Sequence, residues 1–263
     1  MTKPARLLSI AGSDSSGGAG IQADIKTASA LGVYAMTAIT AVTAQDTTGV
    51  GAIQLVPPAV VAEQIARCLG DIGADAIKVG MLGSAGIARA VAAALSAHAK
   101  GVPLVVDPVM VATSGAVLAD PATVEVLKAD LFARATLITP NLPEAARLCG
   151  FPVATQDDVL RAGEMLLSLG PQAVLIKGGH GDGDTLVDTL FTTEDAARTF
   201  GASRIETHHT HGTGCTLSSA IACGLGSGLP LVAAVERAHA FVQAAIRTAP
   251  GLGAGRGPIN HLR

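Results

Sequence analysis

Five short stretches of this chain hold polar residues able to grip or neutralise an anion, and each follows a short apolar run. The first is Gly12-Ser13-Asp14-Ser15-Ser16-Gly17-Gly18-Ala19-Gly20, leading into Ile21-Gln22-Ala23-Asp24. Glycines let the backbone approach a ligand closely, and a following helix offers free N–H groups. The same composition suits an ordinary strand-to-helix loop. It is neither a P-loop nor the GxGxxG fingerprint, because no Gly-Lys-Ser/Thr follows and the glycine spacing differs. The second is His209-Thr210-His211-Gly212-Thr213-Gly214-Cys215-Thr216-Leu217-Ser218. Here a Gly-Thr-Gly turn would open a helix, whose dipole and N–H donors favour the charge on a transferring phosphoryl group. Cys215 would sit in the first turn, where a thiol pKa is expected to fall. The alternative is a plain helix start with a small buried cysteine. His208, His209 and His211 match no common zinc spacing.

The third stretch is Asn141-Leu142-Pro143-Glu144. A carboxylate there could organise Mg²⁺ and its waters, or Asn141 and Glu144 could form a helix capping box. These roles do not exclude one another. The fourth is Asp107-Pro108-Val109-Met110, a carboxylate that could hold metal-bound water or cap a loop. The fifth is Lys177-Gly178-Gly179-His180, a cation that could screen phosphate charge or lie on the surface.

These residues need a scaffold that brings separate loops together. Short β-branched runs (6–11, 33–43, 51–56, 76–79, 104–106, 137–138, 173–176) alternate with Ala-rich helical stretches (19–31, 57–69, 85–97, 124–131, 144–149, 157–169, 214–224, 231–248). Residues 185–191 and 203–206 read as antiparallel strands. The alternation predicts an α/β fold: a mostly parallel central sheet with helices on both faces. Such sheets bind ligands beyond the C-terminal ends of their strands, where all five stretches fall. No repeat or linker divides the chain, so one domain over 1–263 is expected. The segments 107–117 and 180–185, rich in Gly and small residues, are candidate covers over that crevice.

Composition narrows the function. Of 263 residues 49% are apolar but only 2% aromatic. The core must be Ala, Val, Leu and Ile, and stacking platforms for single-stranded nucleic acid are lacking. The formal charge of -3 and the absence of a basic run argue against nucleic acid or an acidic membrane as partner. The four cysteines lack CxxC spacing, and no apolar run is long enough to span a bilayer. A reduced, cytoplasmic setting is expected.

Taken in order, the stretches resemble the hydroxymethylpyrimidine/phosphomethylpyrimidine kinase family, a branch of the ribokinase-like superfamily. The resemblance runs from about Leu7 to Ile259. It is carried by AGSDSSGGAGIQADIKT (11–27), TAITAVTAQDTTGV (37–50), IKVGML (77–82), VVDPVM (105–110), ITPNLPEA (138–145), KGGH (177–180) and THGTGCTLSSA (210–220). It implies a ribokinase-like fold, ATP as phosphoryl donor, Mg²⁺, and commonly a homodimer. It implies that Gly12, Asp24 and Gln45 lie on the substrate side, with Gln45 reading an aminopyrimidine edge and Met81 and Val109 as apolar contacts. Asn141, Lys177, Gly179, His211 and Gly212 fall on the ATP side. Glu144 and Asp107 fall near the metal. Gly212, Thr213, Gly214, Cys215 and Lys177 form the catalytic turn and its cation. Sugar kinases of the superfamily carry an Asp base where this chain has Cys215, which leaves Cys215 as either a base or a backbone N–H donor. The implied reaction is ATP-dependent phosphorylation of a hydroxymethylpyrimidine and its monophosphate. A pyridoxal kinase is the alternative within the family, and a non-catalytic pyrimidine-binding protein is the alternative outside it.

Overall fold

The computed structural model describes residues 3–111, 115, 118–178 and 185–262. Among these, nine strands form one sheet in the order β3-β2-β1-β4-β5-β6-β7-β8-β9. They are β1 (Arg6–Asp14), β2 (Tyr34–Gln45), β3 (Val50–Leu55), β4 (Ala76–Val79), β5 (Leu104–Val106), β6 (Leu137–Ile138), β7 (Ala173–Ile176), β8 (Thr185–Thr192) and β9 (Arg198–Ser203). The pairs from β2 through β1 and β4 to β7 are parallel. The edges β2–β3, β7–β8 and β8–β9 are antiparallel. This is the expected α/β sandwich.

Strand parity divides the core in two, because successive side chains point to opposite faces. On one face Leu8, Ile10, Ile77, Val79, Val106, Ile138, Val174 and Ile176 pack against α2 (Pro58–Asp71), α3 (Ala85–His98), α4 (Pro121–Val126), α5 (Leu142–Cys149) and α6 (Gln156–Leu167). On the other face Leu7, Ala76, Val105, Leu137, Ala173 and Leu175 pack against α1 (Gly20–Ala30), α7 (Thr213–Gly226) and α8 (Leu231–Arg247). Helix α7 is buried over most of its length. Its small residues permit that: a Cβ at Gly224 would lie 2.9 Å from the Ala234 Cβ, and one at Gly226 3.1 Å from the Ala76 Cβ.

Two expectations are corrected. The last strand is 198–203, not 203–206; as an edge strand it is mostly exposed, so it carries no apolar run to announce it. Residues 204–208 instead line a cavity beyond the strand ends. The helix expected over 124–131 is α4 followed by a π-helical turn, Leu127–Leu131, and a 3-10 turn, Phe132–Arg134. Parts of the candidate covers, 112–114, 116–117 and 180–184, lie outside the described residues.

Candidate active site

Parity also selects the site. Ser9, Lys78, Asp107, Thr139 and Lys177 lie two residues beyond Leu7, Ala76, Val105, Leu137 and Leu175, on the α1/α7 face near the strand C-termini. Ser9 and Lys78 are register partners. The sheet therefore presents two lysines, a carboxylate and two hydroxyls to the start of α7. A cavity of about 1110 Å³ opens there, lined by Gly12, Asp14, Gln45, Lys78, Met81, Asp107, Val109, Asn141, Glu144, Lys177 and the 210–215 turn, among others.

Lys177 reaches Asp107 Oδ1 at 2.8 Å, and the Thr139 hydroxyl donates to the same oxygen at 3.0 Å. Lys177 is thus a largely buried cation with a fixed partner, not a surface lysine. Burial disfavours charge on Asp107, but Lys177 and Lys78 outweigh it and hold the carboxyl below its usual range. Glu144 is a third member. Burial pushes its carboxyl up to about 7, Lys177 pulls it down, and the Asp107 charge adds to the rise. The capping box is also present: Glu144 N donates to Asn141 Oδ1 and Asn141 N to Glu144 Oε2, both at 2.9 Å. Glu144 is therefore held with one oxygen on the helix start, beside two charged groups.

The start of α7 closes the other side. Gly212 has φ +84° and a Cβ there would lie 1.8 Å from the Gly18 carbonyl oxygen, so only glycine lets the two loops touch. Helix geometry leaves the N–H groups of Gly214 and Cys215 without intrahelical partners. Gly214 stands close to the Lys177 ammonium, since a Cβ on it would be 3.4 Å from Nζ. Cys215 departs from expectation. Burial pushes its thiol above the usual value, although Lys78 pulls the other way. Location in a first helical turn does not compensate for lost solvation.

Asp24, expected on the substrate side, is not among the cavity-lining residues. It lies beneath the floor, fully buried, with Lys78 Nζ 3.0 Å from each carboxylate oxygen. The Ser9 and Ser219 hydroxyls donate to it at 2.5 and 2.6 Å. One carboxylate thus joins β1, β4, α1 and α7. Burial opposes a charged Lys78, but the attraction of Asp24 wins and the lysine is held above its ordinary range.

His211, expected on the ATP side, turns toward Asp14 and Gln45. Its Nε2 is 2.8 Å from Asp14 Oδ2 and 3.4 Å from Gln45 Nε2. Asp14 also accepts from the backbone of Ser16, Gly18 and Ala19. Gly12 and Met81 both line the cavity and stand against each other: a Cβ at Gly12 would lie 2.8 Å from Met81 Sδ. Gly179 lies outside the described residues.

Sequence reasoning missed Asp14, Lys78 and Ser219. Lys78 had a signal: a lysine inside the apolar run Ala76–Val79 needs a buried partner. Asp14 had one too, since Asp before Ser-Ser-Gly-Gly suits a side chain bonding the backbone just ahead of it.

As to metal, among the described residues no group of three or more His, Cys, Asp or Glu could enclose an ion. Asp107 and Glu144 are hard oxygen donors. Such a pair fits Mg²⁺, which keeps its waters and takes few protein ligands in phosphoryl-transfer sites. It does not fit a structural zinc.

Residues 14–260 match the phosphomethylpyrimidine kinase family. The chain is 48% identical over 258 residues to the hydroxymethylpyrimidine/phosphomethylpyrimidine kinase of Rhizobium meliloti, covering 97% of this chain and 96% of that one. It is 49% identical over 256 residues to the thiamine biosynthesis bifunctional protein ThiED of Geobacter sulfurreducens, covering 97% of this chain and 52% of that protein. The chain therefore spans about half the length of that relative. The ADP complex of Bacillus subtilis pyridoxal kinase superimposes with a TM-score of 0.90 at 36% identity, covering 98% of each chain. The match along nearly the whole length, with the ribokinase-like α/β fold, places this chain in the phosphomethylpyrimidine kinase family.

Proposed function

We propose that the chain transfers the γ-phosphoryl group of ATP to the hydroxymethyl group of 4-amino-5-hydroxymethyl-2-methylpyrimidine, and then to the resulting monophosphate. The observation that carries this reading is the meeting of Lys177, Asp107, Glu144 and the start of α7 in one cavity that also holds Gln45 and Met81. Phosphoryl transfer asks a protein chiefly to position groups and stabilise charge. Lys177, steadied by Asp107, neutralises phosphate oxygens. The N–H groups of Gly214 and Cys215 receive the charge on the moving phosphoryl group. Asn141 and Gly212 belong to the ATP side, Gln45 faces the aminopyrimidine edge, and Met81 and Val109 cover the ring.

Glu144 and Asp107 would hold Mg²⁺, which when bound supplies charge neutralisation between phosphate oxygens. The raised pKa of Glu144 fits this role: a buried carboxyl titrating near 7 gains from a cation beside it. The high thiol pKa of Cys215 supports a backbone-donor role over that of a base. The same reading makes residues 1–263 a single catalytic domain, cytoplasmic and homodimeric, with small molecules as ligands.

Likeness to the B. subtilis pyridoxal kinase favours a second substrate class, since that enzyme shares 36% of its residues with this chain. Release of ADP with the pyrimidine, its monophosphate and pyridoxal, compared as kcat/KM, separates the two. The pyrimidine is expected to win. No ADP with either pyrimidine in the presence of Mg-ATP overturns the proposal.

A further inference from the structure

We propose that His211 and Thr43 fix the direction of the Gln45 carboxamide and thereby decide which hydrogen-bonding edge of a ring the pocket accepts. This assignment rests on the pyrimidine reading above and gives it a specificity-determining relay. The starting point is Asp14. Its Oδ1 accepts from Ser16 N at 2.8 Å and Ser16 Oγ at 2.7 Å; its Oδ2 accepts from Gly18 N at 3.1 Å and Ala19 N at 2.8 Å. A carboxyl ringed by donors is ionised, and Asp14 is accordingly held at about 2 despite the opposing effect of burial. An ionised carboxylate only accepts. His211 Nε2, 2.8 Å from Oδ2, must therefore carry a proton and donate it.

That proton dictates its neighbour. The position 3.4 Å from His211 Nε2 is held by Gln45 Nε2, which would set two N–H donors against each other. A half-turn of the amide exchanges N and O without changing its shape. The other end gives the same answer. Gln45 Oε1 is placed 3.2 Å from Thr43 Oγ1, and the Ser13 carbonyl lies 3.1 Å from the same hydroxyl. The hydroxyl has one proton and a carbonyl can only accept it, so the Gln45 end facing Thr43 should be the donor, Nε2. Both neighbours call for one arrangement: Oε1 toward His211 and Nε2 toward Thr43.

The rest of the residue is equally constrained. Gln45 N donates to Ser15 Oγ at 2.8 Å, and Ser15 Oγ donates to Gln45 O at 2.7 Å. The His211 ring is wedged against Gly18, where a Cβ would lie 2.4 Å from its Cδ2. One N–H and one lone pair of the carboxamide remain for the cavity that Gln45 lines. A freely turning carboxamide would serve two kinds of ring edge equally: a ring nitrogen beside an exocyclic amine, or a ring N–H beside a carbonyl. A fixed one serves a single edge at a given ring pose, which on the pyrimidine reading above is the first. His211 is thus a positioning residue that acts through Gln45, and it ties the phosphate-side turn to the ring pocket.

The test compares kcat/KM for the aminopyrimidine and for its 4-oxo analogue, which carries a carbonyl in place of the amine. Wild type should prefer the amine by at least about a hundredfold, as sites built around a polar edge do. His211→Phe and Thr43→Val should each cut that ratio about tenfold, the worth of one hydrogen bond. His211→Gln, which restores an N–H donor, should keep most of it. An unchanged ratio in both Phe and Val variants overturns the assignment alone, as does an equal fall with Gln and Phe. Turnover of neither pyrimidine by wild type overturns the proposed function and this assignment with it. A readout that needs no variant is the nitrogen-15 spectrum of His211 in wild type. A proton on Nε2 is expected, and a bare Nε2 overturns the relay.

Discussion

Replacing Lys78 by Met removes one charge from a pair in which neither side chain reaches solvent. Lys78 Nζ lies 3.0 Å from both oxygens of Asp24, so the variant leaves a carboxylate buried with only the Ser9 and Ser219 hydroxyls to hold it. Breaking a buried pair by removing one partner costs about 3–5 kcal/mol. The two hydroxyls that remain place Lys78→Met near the lower end, about 3 kcal/mol, or a fall in Tm of about 6–12 °C for a chain of this size. Adding Asp24→Asn removes the orphaned charge, so the double variant should recover about half the loss. The assay is urea unfolding followed by circular dichroism, read as a double-mutant cycle. pH gives an independent check. The Lys78 pKa is raised on folding, so its contribution is complete below the unfolded lysine value of about 10.4 and is lost as pH rises through the folded value. The gap between wild type and Lys78→Met should be flat from about pH 6 to 9 and narrow only in strong alkali. A loss under about 1 kcal/mol, or losses in the double variant that simply add, would refute this account of the pair.

Four further outcomes are expected. The Glu144 carboxyl is raised from 4.5 to about 7, so its folded form keeps a proton that the unfolded chain has released; metal-free stability should fall as pH climbs through that window, and Glu144→Gln should flatten the profile in thermal melts. The same variant should lower kcat by about 10²–10³ while calorimetry shows pyrimidine affinity nearly unchanged. Cys215→Ala should lose less than about tenfold in kcat, because a general base would account for about 10²–10⁴ and its thiol is pushed up by burial; a loss beyond a hundredfold would restore the base. Gly212→Ala must force a Cβ into the Gly18 carbonyl at φ +84° and should cost about 1–3 kcal/mol in denaturant unfolding, with kcat falling too as the turn shifts.

The strands and the loops that follow them were legible because buried parallel strands read as short apolar runs, and their ends are marked by the first polar residue. Asp107 and Lys177 were found in this way, and parity then put both on the α1/α7 face. Edge strand β9 was misplaced because exposure relaxes the demand for apolar residues. The π-helical turn at Leu127–Leu131 has no composition of its own. At the site, residue types named the chemistry but not the partners. Asp24 was expected on the substrate side; its carboxylate is held by Lys78, Ser9 and Ser219 from three other elements. His211 was read with the turn that follows it, whereas its ring turns back to Asp14 and Gln45, residues 197 and 166 positions away in the chain. Pairings of that kind follow from tertiary geometry, which no local pattern encodes.

The most direct test of a magnesium-bearing cationic cleft that passes a phosphoryl group to an alcohol is phosphorus-31 NMR of the reaction itself. With Mg-ATP and the hydroxymethylpyrimidine, a phosphomonoester resonance split by the adjacent methylene protons should appear as the γ-phosphate signal decays. It should be slowed at least about a hundredfold in Lys177→Met. A decay that yields only inorganic phosphate, or an ester signal that grows at the same rate in Lys177→Met, would contradict the account.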